Sequence, residues 1–114
     1  MLKHRRFRKR LLETLWSGSI SGTDSEWVDR VAELEQKDEP LGDYGPIVRR
    51  MLDAGVQRND IARFARIVGY EAVFGCLYDL DEAGISEVPG HFAGGLYESL
   101  LSADPTGTEM RPPK

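Results

Sequence analysis

Cys76 is the only cysteine in this 114-residue chain, so an internal disulfide is excluded and packing alone must hold the fold. Histidine is nearly as scarce. His4 lies in a basic N-terminal run and His91 in a glycine-rich stretch, and neither has a cysteine, histidine or carboxylate at metal-ligand spacing. No metal or other cofactor is expected. Long apolar runs are missing too: the longest, Ile67 to Leu80, is broken by Glu71 and Asp79 and falls short of the roughly 20 residues that span a bilayer. Glu13 and Thr14 interrupt LLETLW before a secretory core develops. These absences predict a cytoplasmic protein without a membrane span. No segment alternates in the manner of a strand, and no repeat is visible. The glycines of GHFAGG follow a proline loop rather than a strand and lack a lysine, so they do not form a phosphate cradle. No nucleophile, base and acid converge, and no enzyme is expected.

Helical spacing is what the sequence does contain. Phe7, Leu11 and Leu15, flanked by Leu12 and Trp16, predict a first helix over residues 2–17 with Arg6, Lys9, Arg10 and Glu13 on its other faces. Thr23 and Glu26 have capping-box spacing for a second helix ending near Lys37, with Trp27, Val31 and Leu34 inward. Pro46 suits the first turn of a third helix that buries Ile47, Val48, Met51 and Leu52 and closes at Gly55, a left-handed C-cap followed by Val56. Asn59 or Asp60 caps a fourth helix running to Glu82. A short amphipathic helix, LYESLLSA, uses Leu96, Leu100 and Leu101.

This pattern predicts an all-α fold, a compact bundle of four to five helices around a long central apolar helix at about 59–82. Residues 1–103 form a single helical domain with a basic N-terminal helix, and residues 104–114 an extended or flexible C-terminal tail. Within the long helix, Ala65, Gly69, Ala72 and Cys76 make a stripe of small residues suited to close packing against another helix, of this chain or of a second copy. Cys76 is expected in the core. Glu71 has no opposite charge among its helical neighbours, so it either faces solvent through a gap or is buried with a tertiary partner, with a structural hydrogen bond or ion pair expected rather than catalysis. Tyr70 and Tyr78 read as core-edge aromatics.

Charge is divided unevenly. The net charge is -4, yet Lys3, Arg5, Arg6, Arg8, Lys9 and Arg10 stand among the first ten residues with no acid, which leaves -10 on the remainder. Residues 24–39 alone carry -5. A basic arm on an acidic body suits RNA, anionic lipid or an acidic protein partner, or lies on the acidic helix at 24–39; the body's charge repels an extended polyanion.

Locally, Leu52, the turn Gly55–Val56 and Ile61 resemble a helix-turn-helix over about twenty residues. That resemblance implies a recognition helix opened by Gln57, Arg58, Asn59 and Asp60, whose side-chain types suit base edges. Met51 stands where the motif wants a small residue, Asp53 and Asp60 oppose phosphate, and the helix that follows is apolar on too many sides. The expected function is that of a small non-catalytic protein-binding accessory, inhibitor or immunity-type factor, with Arg5, Arg6, Arg8, Lys9, Arg58 and Arg63 as partner-binding residues. A homodimer is compatible with the small-residue stripe. The alternative is a nucleic-acid-binding regulator using the basic arm and the helix-turn-helix-like corner at 46–66.

Overall fold

The computed structural model of the chain describes residues 2–20, 22–35, 38–82 and 95–112. The fold is all-α. Its helices are α1 (Leu2–Thr14), α2 (Glu26–Ala32), α3 (Tyr44–Asp53), α4 (Arg58–Glu82) and α5 (Leu96–Leu100), with no strand among the described residues. The loop predicted after Gly84, including His91 and most of GHFAGG, lies outside the described residues. Two packing units share α4: Thr23–Arg66 makes one, and Met1–Gly22 with Ile67–Lys114 the other.

In the first of these units, Val28, Ala32, Val48, Ile61 and Ala62 are buried, and Trp27, Val31, Met51 and Leu52 pack around them. Helix α2 stops at Ala32, earlier than expected, and Leu34 is exposed rather than inward. The start of α2 is also secured differently. Asp24, not Thr23, accepts the Glu26 backbone N–H at 3.0 Å, because its carboxylate reaches two residues forward in an Asx turn. Helix α3 terminates as predicted. Gly55 has φ 91°, the Val56 N–H donates to the Met51 carbonyl at 3.0 Å and the Gly55 N–H to the Leu52 carbonyl at 3.0 Å, the two bonds of a Schellman cap. Helix α4 begins at Arg58, and the Gln57 carbonyl accepts its first helical bonds from Asp60 and Ile61, so Asn59 and Asp60 lie inside the first turn rather than at the cap position.

Helices α2 and α3 approach closely at Gly45. A Cβ there would overlap the Leu34 carbonyl oxygen and lie 2.8 Å from that of Val31. Arg49 completes the clamp, its Nη1 donating to the carbonyls of Ala32 and Leu34. The end of α2 is therefore held through its backbone, which leaves its side chains free to face water.

The other unit has Trp16, Ile20, Leu77, Leu96 and Leu100 at its centre. Ser17, Gly18 and Ser19 are weak helix formers, and here α1 loosens into a π-helical turn, Leu15–Ser19, closed by the Ile20 N–H on the Leu15 carbonyl at 2.9 Å. The wider turn lets Trp16 and Ile20 both enter the core. Trp16 Nε1 donates to the Leu100 carbonyl at 3.0 Å across 84 residues of sequence. The Trp16 ring also stacks on Tyr70 at 6.0 Å, and Tyr97 meets Phe74 and Tyr78 edge-on at 5.4 and 5.2 Å. Burial raises the Tyr70 hydroxyl pKa, consistent with its expected core-edge place. Phe7, predicted to head the buried stripe of α1, is 46% exposed; among the described residues, Leu11, Leu12 and Leu15 of this stretch pack against the core.

Two expectations for α4 are overturned. Only one side of this helix is covered: Leu77 is buried with Tyr70, Val73 and Phe74 packed beside it, whereas Phe64, Val68 and Tyr78 are exposed. Cys76 is exposed, not in the core, because it sits about 100° around the helix from Leu77. Glu71 is exposed, which is the solvent-facing of its two alternatives.

Residues 104–112 differ from the expected extended tail. Asp104 is buried and organises a turn: Oδ1 accepts from the Thr106 N–H (2.9 Å) and hydroxyl (2.8 Å), and Oδ2 from the Thr108 hydroxyl (3.2 Å) and the Met110 N–H (3.1 Å). Met110 then packs against the core. Gly107 has φ 75°, and Glu109 and Met110 adopt φ of 51° and 62°, which costs a non-glycine residue about 1 kcal/mol or more. The Asp104 bonds hold them there. Burial pushes the Asp104 pKa up, but the hydrogen bonds from Thr106, Met110 and Thr108 outweigh it and leave the carboxyl below its ordinary value.

Two predictions follow from the second core. Trp16→Phe keeps an aromatic side chain but removes part of its volume and strands the Leu100 carbonyl, so denaturant unfolding should show a loss of at least about 1–3 kcal/mol. Because the folded Asp104 pKa is depressed, its contribution is fully present above the unfolded value of about 3.9 and disappears as pH falls through the folded value. Asp104→Asn should lower stability at neutral pH and flatten the decline in acid, as measured by thermal unfolding across pH 2–7.

Candidate functional site

Helix α1 carries the cationic side chains on turns that project beyond the core. Arg5, Arg6, Lys9 and Arg10 are exposed and Arg8 is half-buried. Arg6 and Arg10 lie one turn apart, as do Phe7 and Leu11, so two adjacent ridges run along the helix, one cationic and one apolar. Together with Thr14 they are the described residues lining an open groove of about 470 Å³. Lys9 and Glu13 form an exposed pair at 3.9 Å, worth little to stability.

The placement of these bases runs against helix stability. The first turn of α1 holds no acid and its last turn no base, whereas the backbone dipole favours acids at the start of a helix and bases at its end. Six bases crowd residues 3–10. Their mutual repulsion and the dipole both disfavour the isolated helix, and a bound anion relieves both.

The other predicted contact residues are separated from this groove in kind. Arg58 pairs with Asp29 at 3.2 Å, both about half-exposed, so its guanidinium is already engaged within the unit that contains the α3–α4 joint. Arg63 is half-buried and Arg66 is 5% exposed. Within the helix-turn-helix-like corner Asp53 and Asp60 are exposed, and Asp29 meets Arg58 from α2. Arg10, Phe7, Leu11 and Thr14 were not among the predicted contact residues. The i, i+4 repetition of Arg6–Arg10 beside Phe7–Leu11 is the sequence signal for them.

Among the described residues no three of His, Cys, Asp and Glu gather at metal-binding distance, and no helix is long and apolar enough to cross a membrane. No family profile, curated protein or solved structure matches the chain.

The exposure of Cys76 makes a direct test of the α4 orientation. Its thiol should react fully with Ellman's reagent in the native protein, at a rate little changed by denaturant; protection of the native thiol would reverse the orientation of this helix.

Proposed function

We propose that this protein is a non-catalytic protein-binding accessory whose α1 groove captures an acidic segment of a protein. The supporting observation is the pairing of Arg6 and Arg10 with the apolar ridge of Phe7 and Leu11. Carboxylates answer the guanidiniums with forked hydrogen bonds, and an apolar side chain between them covers the ridge. Arg5 and Lys9, exposed on the same helix, extend the positive field and speed encounter.

A nucleic-acid reading is disfavoured by the rest of the charge. Beyond residue 10 the chain carries -10, which opposes a long polyanion while tolerating a short acidic segment. Arg58, the best base-reading candidate of the α3–α4 corner, is held by Asp29.

Fluorescence anisotropy compares the two readings. A labelled peptide of Glu and Leu residues should bind, weaken with salt, and lose about tenfold or more in affinity in Arg6→Glu/Arg10→Glu. Tighter binding of random DNA or RNA, abolished by substituting Arg5, Arg6 and Arg8, would overturn the protein-binding reading in favour of a nucleic-acid regulator.

A further inference from the structure

The chain carries its own acidic segment of the kind that the groove fits. At the end of α2, Glu33 and Glu35 flank Leu34, and all three are exposed; Leu34 is 38% accessible, unusual for a leucine beside a packed helix pair. Further acids, Asp38 and Glu39, follow. This acidic tip is rigid at its backbone. Arg49 binds the Ala32 and Leu34 carbonyls, and the absence of a side chain at Gly45 lets α3 press against the Leu34 carbonyl. An acidic apolar knob held by its backbone loses little conformational freedom on binding.

The dimensions of the two surfaces agree. One residue, Leu34, separates Glu33 from Glu35, and the two chain steps span at most about 7 Å. Arg6 and Arg10, four residues apart on a helix, are separated by about 6 Å along its axis. Arg6 and Arg10 on α1 and Glu33, Leu34 and Glu35 at the tip are all exposed in the single chain.

We propose that the tip Glu33–Leu34–Glu35 of a second copy of this chain docks in the α1 groove, with its carboxylates at Arg6 and Arg10 and Leu34 against the Phe7–Leu11 ridge. This rests on the reading of the groove as an acceptor of acidic protein segments, and it names the segment. The consequence is regulatory as well as structural: an external acidic partner has to displace the tip, so self-association sets a threshold for partner capture. Exposed ion pairs are individually weak and screened by salt, which suits a displaceable occupant.

Sedimentation equilibrium of the full chain tests this. The wild-type mass should rise above one chain with concentration at low salt and return to one chain at about 0.5 M salt. Arg6→Glu/Arg10→Glu and Glu33→Arg/Glu35→Arg should each weaken self-association about tenfold or more, and their equimolar mixture should restore it, because reversed charges again face opposite charges. Circular dichroism confirms that both variants are folded. A wild type that stays one chain throughout, or a mixture that fails to restore association, overturns the proposal. The Glu/Leu peptide, assayed at dilution where the wild type is one chain, separates the two readings: if it binds through Arg6 and Arg10 while self-association is missing, the groove keeps its acidic ligand and only the second-copy assignment falls.

Discussion

The hydrogen bond from Trp16 Nε1 to the Leu100 carbonyl joins residues 84 positions apart inside an apolar centre, and much of one unit depends on it. Joining such distant parts of the chain carries a loop-closure cost that local helix formation does not repay. Burial of Trp16, Ile20, Leu96 and Leu100 offsets it, and the indole N–H removes the penalty of leaving a buried carbonyl unpaired. The geometry also decides where α1 is held. Its C-terminal turns enter the core, while Arg5, Arg6 and Phe7 stay exposed. A helix anchored at one end presents the other on a fixed axis, which gives the groove its geometry.

Charge then explains what the anchored helix presents. Bases at the N-terminal turns work against the dipole and against one another, and the exposed Lys9–Glu13 pair returns little of that cost. Stability alone would place acids there. The acidic tip at the end of α2 has the complementary arrangement, with Glu33 and Glu35 near a helix C-terminus where cations are preferred. At the α2 end this is partly offset by Arg30 in the last turn and by the Arg49 guanidinium on the Ala32 and Leu34 carbonyls, whereas the N-terminal turns of α1 have no such compensation.

Much of the helical plan was legible in the chain. The 3.6-residue periodicity located the helices, and Gly55 with Val56 announced the Schellman cap because a glycine after an apolar stripe has one common structural use. Less legible was the orientation of α4. Apolar residues occupy nearly all of its faces, so periodicity does not say which is covered, and Cys76 fell outside although free cysteine usually goes inside. The turn at residues 104–110 was hidden for a different reason. Asp-Pro-Thr-Gly-Thr reads as a mobile polar stretch unless the Asp104 carboxylate is known to be buried, and burial is a tertiary property. Of the candidate site, the basic residues were evident from composition. Their partnership with Phe7 and Leu11 was not, because an amphipathic stripe is ordinarily assigned to the core along its full length.

The balance between charge and apolar surface determines how selective the groove can be. Guanidiniums alone attract any polyanion, and salt diminishes that attraction without regard to sequence. Phe7 and Leu11 change the rule, since an apolar side chain placed on them gains about 25 cal/mol per Å² buried, largely independent of ionic strength. An acidic segment lacking such a residue gains only the screened term. The -10 carried beyond residue 10 adds discrimination of the opposite sign, repelling long anionic chains that overrun the groove. On the proposed reading, selectivity for a short acidic segment with an apolar residue would come from three parts: a local attraction, an apolar contact that rewards the right side chain, and a surrounding repulsion that limits length.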